Sequence, residues 1–452
     1  MSDTIAAVST GTQVCAIGIV RMSGSKAIDI ADRLFSPVSG RKMADCEDRK
    51  LIYGKLCDEQ GRLLDICLCT ISRAPNSYTG EDTAEFQCHG SPVVLRAVLE
   101  AAFSLGARQA LPGEFTKRAF LNGRMDLSGA EAVADIIDAE TAEAARNAAG
   151  QLGGAISRRI DEIYGALTDI SSHYHAVLDY PDEDIEDFTL ARYKEDIERC
   201  TAVLESLRAS YDSGKLLHSG VPAAIVGRPN AGKSSLLNAV LGYDRAIVTD
   251  IPGTTRDTIE EKLRLGGVLL RLTDTAGIRE TDDEIERMGV TRSRRAMEQA
   301  DLVLAVIDGH REITPEDLEL IKCAERAPHG IVILSKHDLG SLSKMPETTL
   351  PVIEISSVTG EGLDKLEDTV RALFPMPAAP AGEILTNARQ FDAVSRALES
   401  MKAAGDAMRS GCTPDIVLTE TEAAMAALGE LTGRTVREEV TNRIFERFCV
   451  GK

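Results

Sequence analysis

Short alternating apolar runs and longer helix-period stretches divide this chain into regions of different texture. Up to about residue 118 the pattern is mixed. Ala16–Arg21 and Leu64–Thr70 read as strands, while 25–35 and 91–105 carry helical spacing. Ala130–Leu178 is alanine-rich, essentially without proline and helix-periodic, and a second helical run covers 190–217. Strand-length apolar runs then return at Ala223–Val226, Val268–Thr273 and Ile331–Leu334. After Pro375–Pro380 the texture is helical again, over 384–409, 415–431 and 435–448. Four segments follow: 1–118, 119–217, 218–377 and 378–452. The simplest account is an α/β domain inserted into an all-α helical domain and preceded by an α+β domain, since insertion succeeds where two chain ends lie close.

The strand-like runs of the third segment are followed by residues with a recognisable chemistry. Ala223–Val226 leads into Gly227-Arg-Pro-Asn230-Ala231-Gly232-Lys233-Ser234, a match to G-x-x-x-x-G-K-[ST], and then into the helix-like Ser235–Leu241. Glycines let the backbone approach, and N–H groups at a helix start point at phosphates. Lys233 would reach the outer phosphates and Ser234 would sit on Mg²⁺. After Val268–Thr273 comes Asp274-Thr275-Ala276-Gly277, whose aspartate can hold the Mg²⁺ shell while the glycine N–H faces the γ-phosphate. The loop Pro252-Gly253-Thr254-Thr255-Arg256-Asp257, after Thr249-Asp250-Ile251, offers Thr255 as a second Mg²⁺ ligand, with Thr254 its backbone neighbour.

Base choice rests on Ser335-Lys336-His-Asp338, behind Ile331–Leu334. A carboxylate there accepts from guanine N1–H and its exocyclic amine, which adenine cannot match. The usual motif has Asn where Ser335 stands, a change expected to weaken binding by roughly 1 kcal/mol through one lost contact. Ile355-Ser356-Ser357-Val358 reads as the loop over the guanine ring. The chain is therefore expected to bind GTP. Ile278 follows the Asp-Thr-Ala-Gly turn where many small GTPases carry glutamine, so water must be oriented by another group. The acids of 279–287 are candidates.

Composition narrows the partners. With 51 basic against 71 acidic side chains the net charge is −20, and there is no Trp. Both argue against a broad nucleic-acid-coating surface. No apolar run approaches membrane length, the start carries no targeting pattern, and the ten cysteines lack metal-ligand spacing. A cytoplasmic protein with reduced thiols is expected. Cys67 and Cys69 alternate within a strand and read as packing residues. Cys88-His89 is a weak metal or nucleophile signal.

Several further segments carry a family resemblance: Thr4-Ile-Ala-Ala, Ile19-Val-Arg-Met-Ser-Gly24, Tyr78-Thr-Gly-Glu-Asp82, Gln87-Cys-His-Gly90, Pro112–Gly123, Leu178-Asp-Tyr-Pro181 and the terminal Phe448-Cys-Val-Gly-Lys452. With the GTPase motifs, these make the chain resemble the MnmE (TrmE) family of tRNA-modification GTPases over nearly its whole length. The resemblance implies a dimerising, folate-binding N-terminal domain, a helical domain and an inserted G domain. It implies K⁺-stimulated hydrolysis as two G domains meet, with Asn230, Thr249, Ile251 and Thr254 at the K⁺ positions and Glu286 orienting water. Arg21, Glu81, Arg124 and Lys452 match positions for a tetrahydrofolate derivative, in the 5-formyl or methylene form. The implied setting is a homodimer in a heterotetramer-type complex with the flavoprotein MnmG (GidA), which would hold most of the tRNA while the wobble uridine is modified. Cys449 is equally readable as a catalytic thiol or as a small residue placing Lys452. The rival expectation is a ribosome-assembly or regulatory switch that senses folate and performs no modification chemistry.

Overall fold

The computed structural model describes residues 3–11, 13–179, 187–243, 261–272, 297, 299–340, 347–375, 380–435, 444–446 and 448–451. These fall into two compact units, the first comprising 1–137, 149–201 and 396–452, the second 138–148 and 202–395.

The first unit holds a seven-stranded sheet in the order β3-β4-β5-β6-β2-β1-β7. Its strands are β1 (Thr4–Val8), β2 (Cys15–Ser23), β3 (Phe35–Pro37), β4 (Ile52–Cys57), β5 (Leu63–Ser72), β6 (Thr83–Gly90) and β7 (Ala107–Gln109). All pairings are antiparallel except that of β1 with β7. The period-2 alternation sends Met22, Leu56, Cys67, Cys69, Ile71 and Phe86 inward. There they meet α1 (Ala27–Leu34) and α2 (Pro92–Ser104) in one apolar cluster. Proline fits the first turn of α2 because its missing N–H would have no helical partner there. Outward positions of the same strands, Ile17, Tyr53 and Ile66, stay exposed. One face of the sheet is therefore packed and the other presents apolar side chains to solvent.

The sheet is followed by α3 (Glu114–Leu121), α4 (Leu127–Asp138), α5 (Ala142–Leu152), α6 (Ala155–Asp179) and α7 (Asp187–Ala209). Residue 118, where the texture changes, lies inside α3. The run expected over 190–217 is interrupted at Ser210, whose hydroxyl donates to the Leu207 carbonyl and accepts from the Leu385 N–H. A new helix, α8 (Tyr211–Ser219), then begins.

In the second unit the strand order is β13-β12-β11-β8-β10-β9. The strands are β8 (Val221–Val226), β9 (Glu261–Leu265), β10 (Val268–Leu272), β11 (Leu302–Asp308), β12 (His329–Ser335) and β13 (Val352–Glu354). Pairing is parallel throughout except for the β9–β10 hairpin. Along β11, Leu302, Leu304 and Val306 enter one core while Val303 and Ala305 enter another. Both faces are thus buried, which is why parallel strands read as unbroken apolar runs. The covering helices are α9 (Lys233–Tyr243), α10 (Pro315–Arg326) and α11 (Leu363–Leu373). Thr314 starts α10 with a reciprocal cap to Asp317.

The last described helices are α12 (Ala388–Arg409) and α13 (Pro414–Thr432). The helix expected from 384 starts later because Asn387 Oδ1 accepts the Gln390 N–H as a cap. α13 packs along α6, and Ser128 Oγ of α4 donates to the Leu431 carbonyl. Most of the helix expected over 435–448 lies outside the described residues.

Candidate nucleotide site and the N-terminal pocket

β8 delivers the phosphate loop. A Cβ on Gly227 would lie 2.4 Å from the Val306 carbonyl oxygen, so only glycine lets the chain leave the strand against β11. Asn230 follows with a φ of 62°, a left-handed conformation that asparagine tolerates better than most residues. Lys233 opens α9, and its ammonium donates to the carbonyls of Gly227 (2.6 Å) and Arg228 (2.9 Å). Burial pulls its pKa below the ordinary lysine value. Ser234 and Ser235 lie exposed in the first turn of α9, where helix N–H groups favour anions. Arg228 reaches Glu316 and the Thr314 hydroxyl, fastening the loop to the start of α10.

Two strands away, Ser335 ends β12 with its hydroxyl 2.5 Å from the Ala231 carbonyl and 3.1 Å from that of Ile307. The serine therefore keeps a strap to the phosphate loop. Its single proton is spent on carbonyls, and the amide of the usual asparagine is what is missing. Lys336, also left-handed at φ 59°, donates to the Asn230 carbonyl (2.9 Å) and to Asp308 (2.7 Å). Asp338 is exposed and accepts from Ser356 Oγ at 2.7 Å, with Ser357 beside it in the chain. Asp308 was missed in the sequence. Its signal is an Asp-Gly step at the end of the apolar run 302–307.

On the outward face of the N-terminal sheet a cavity of about 420 Å³ is lined by Arg21, Arg49, Tyr78, Thr79, Glu85 and Gln87, among others. Arg21 pairs with Glu85 at 2.7 Å, and its guanidinium lies 5.5 Å from the Tyr78 ring centroid. Glu81 is turned elsewhere, accepting from Ser23 Oγ (2.7 Å) and Arg118 (3.0 Å). Arg124 is exposed, with its stem against Gly80. Arg118 carried no signal of its own, yet it is 2% exposed and joins Asp3, Glu81 and Glu114.

The carboxy-terminal residues reach the same unit. Pro112 bridges Val450, the Gly113 N–H donates to the Cys449 carbonyl, and Ser9 Oγ donates to the Gly451 carbonyl at 3.0 Å. Gly451 has φ 100°, and a Cβ there would meet the Val8 carbonyl oxygen at 2.2 Å. Lys452 lies outside the described residues. So do Thr249, Asp250, Ile251, Pro252, Gly253, Thr254 and Thr255, the turn Asp274, Thr275, Ala276 and Gly277, and Glu286.

A parallel sheet feeding a Gly-Lys-Ser loop at a helix start, strapped to a Lys/Asp base-reading turn, defines a P-loop GTPase. Residues 4–124 match the GTP-binding protein TrmE N-terminus, and residues 127–449 match the MnmE helical domain. Curated proteins named tRNA modification GTPase MnmE align over the whole chain. Those of Symbiobacterium thermophilum and Roseiflexus sp. (strain RS-1) are each 43% identical, with 99% of the relative covered. That of Clostridioides difficile (strain 630) is 40% identical and wholly covered. The chain belongs to the MnmE (TrmE) family of tRNA modification GTPases. None of the described helices is long and apolar enough to cross a membrane.

Proposed function

We propose that this chain hydrolyses GTP in a K⁺- and dimerisation-dependent manner while modifying the wobble uridine of certain tRNAs at C5 with an aminomethyl or carboxymethylaminomethyl group. The setting is a cytoplasmic homodimer in a heterotetramer-type complex with a flavoprotein, MnmG (GidA), which holds most of the tRNA. The division into N-terminal (1–118), helical (119–217 and 378–452) and G (218–377) domains belongs to this reading. So do Mg²⁺ on Ser234 and Thr255 and water orientation by Glu286.

The observation that carries it is the exposed, left-handed Asn230, whose backbone is pinned by Lys336 while its side chain stays free of the straps at the mouth of the loop. An amide oxygen there suits a monovalent cation, with Thr249, Ile251 and Thr254 completing the set. K⁺ would supply positive charge beside the β- and γ-phosphates. For the folate, the cavity at Arg21 fits the group: a cation over an aromatic ring, Glu85 and Gln87 for amidine-like donors, and open access on the sheet face. A bound tetrahydrofolate derivative would supply the one-carbon unit, with Arg21, Arg124 and Lys452 around it and Glu81 reaching it once its carboxylate leaves Ser23 and Arg118. The exposed Ile17, Tyr53 and Ile66 supply an apolar face for a second copy.

The test is GTP hydrolysis in KCl against NaCl at equal ionic strength, with Asn230→Ala and Asn230→Gly side by side. Glycine keeps the left-handed backbone while deleting the amide. K⁺ stimulation lost in both variants supports the side-chain role. Stimulation retained in Asn230→Gly would sink it and leave Asn230 as a turn residue.

A further inference from the structure

The packed face of the N-terminal sheet holds a group of residues that neither nucleotide nor folate uses. One oxygen of Asp65 and the sulfurs of Cys67 and Cys88 all lie within 4.8 Å of one another. The strands explain the meeting. Leu68 pairs with Gln87 and Cys69 with Phe86, so continuing the antiparallel register sets Cys67 opposite Cys88. Asp65 shares their face two residues earlier on β5. The outer neighbours in the same row are glycines, Gly54 opposite Cys67 and Gly18 opposite Cys88. Where their Cβ atoms would be, Phe35 and Leu95 close in and shut water out.

We propose that Asp65, Cys67 and Cys88 form a binding site for a thiophilic divalent cation of the Zn²⁺ class, with His89 as its outer support. Packing accounts for two buried thiols but not for a carboxylate, itself about nine-tenths buried, set against them. Two thiolates and one carboxylate are a soft, anionic donor set that favours Zn²⁺ over Mg²⁺ or Ca²⁺. Both carboxylate oxygens are oriented from outside: the His89 N–H donates to Oδ2 and the His89 ring Nδ1 lies 2.8 Å from Oδ1. Such hydrogen-bonded support around a ligand is what fixes a metal site. The exposed His89 ring marks the side from which an ion enters, and water supplies the fourth ligand. Binding releases the two thiol protons to solvent as two metal–sulfur bonds form.

The experiment is a Co²⁺ titration of the full chain, stripped with chelator, nucleotide-free and held under a phosphine reductant without oxygen. The expected result is a thiolate-to-cobalt charge-transfer band saturating near one equivalent and erased by Zn²⁺. Cys67→Ala and Cys88→Ala should each abolish it, Cys449→Ala should not, and His89→Ala should weaken Co²⁺ binding by roughly 10- to 100-fold. Asp65→Asn keeps the shape of the site, so it serves if a cysteine variant fails to fold, and it too should weaken binding. No band, a band that survives loss of Cys67, or an affinity untouched by Asp65→Asn would overturn the proposal. So would a reduced protein blind to Co²⁺ whose Cys67 and Cys88 only oxidise to a disulfide in air.

Discussion

The two sheets bring their functional residues together by different geometry. In the second unit the phosphate loop follows β8, Asp308 ends β11, Ser335 ends β12 with Lys336–Asp338 after it, and Ser356 follows β13. Parallel strands put all four ends at one edge, the usual place for ligands in open α/β sheets. In the first unit the cavity lies on a sheet face, so its walls come from alternate residues of β2, β5 and β6, joined by Arg49 and Leu51 ahead of β4 and by the loop carrying Tyr78. Convergence at an edge needs only a strand followed by a motif. Convergence on a face also needs the register.

The comparison breaks most visibly at Arg118. Removing this buried guanidinium leaves Glu81 and Glu114 without their shared partner. Arg118→Ala should cost about 3–5 kcal/mol of stability by chemical denaturation. GTP affinity, measured with a fluorescent analogue, should stay nearly unchanged. If affinity fell in step with stability, the two regions would not be separable in this way.

Ser335→Ala asks the converse question. Loss of the strap to Ala231 should weaken GTP binding by about 1 kcal/mol, or about five-fold, with little change in unfolding. Unchanged affinity would mean that Lys336 and Arg228 hold the loop without it.

A smaller effect is expected from acid, and it should be shared. Burial pushes the Asp308 carboxyl up, but hydrogen bonds from Lys336 and the His310 N–H, with the charges of Lys336 and Arg311, leave it below 3.8. Burial likewise raises Glu114, and Arg108, the Leu111 N–H and Arg118 outweigh it, leaving it below 4.5. Carboxylates depressed in the folded state stabilise fully above their unfolded pKa and lose that contribution as pH falls through the folded value. Denaturant midpoints should therefore hold from pH 7 to about pH 5 and decline below about pH 4. Glu114→Gln should remove part of the slope, and an unchanged slope would count against its role.

These differences explain what was legible in the sequence. The strands at Ala223–Val226 and Ile331–Leu334 were visible because burial on both faces makes them unbroken apolar runs, and their motifs came with them. Ser335 reads as a lost contact. Its bond to Ala231 depends on two loops meeting, which spacing does not encode. Arg118 looked like any arginine within Pro112–Gly123, because only the fold brings Asp3 and Glu81 to it. Cys67 read as packing and Cys88-His89 as a weak metal signal. Strand register joins them to Asp65.

The clasp between Ser9 and Gly451 has a consequence for synthesis. The two residues are 442 positions apart, so a ribosome adding roughly 5–20 residues per second makes the second about 20–90 s after the first. The second unit has been translated to its last residue by then. A growing chain can acquire its nucleotide loop well before Ser9, just after β1, gains its partner at Gly451.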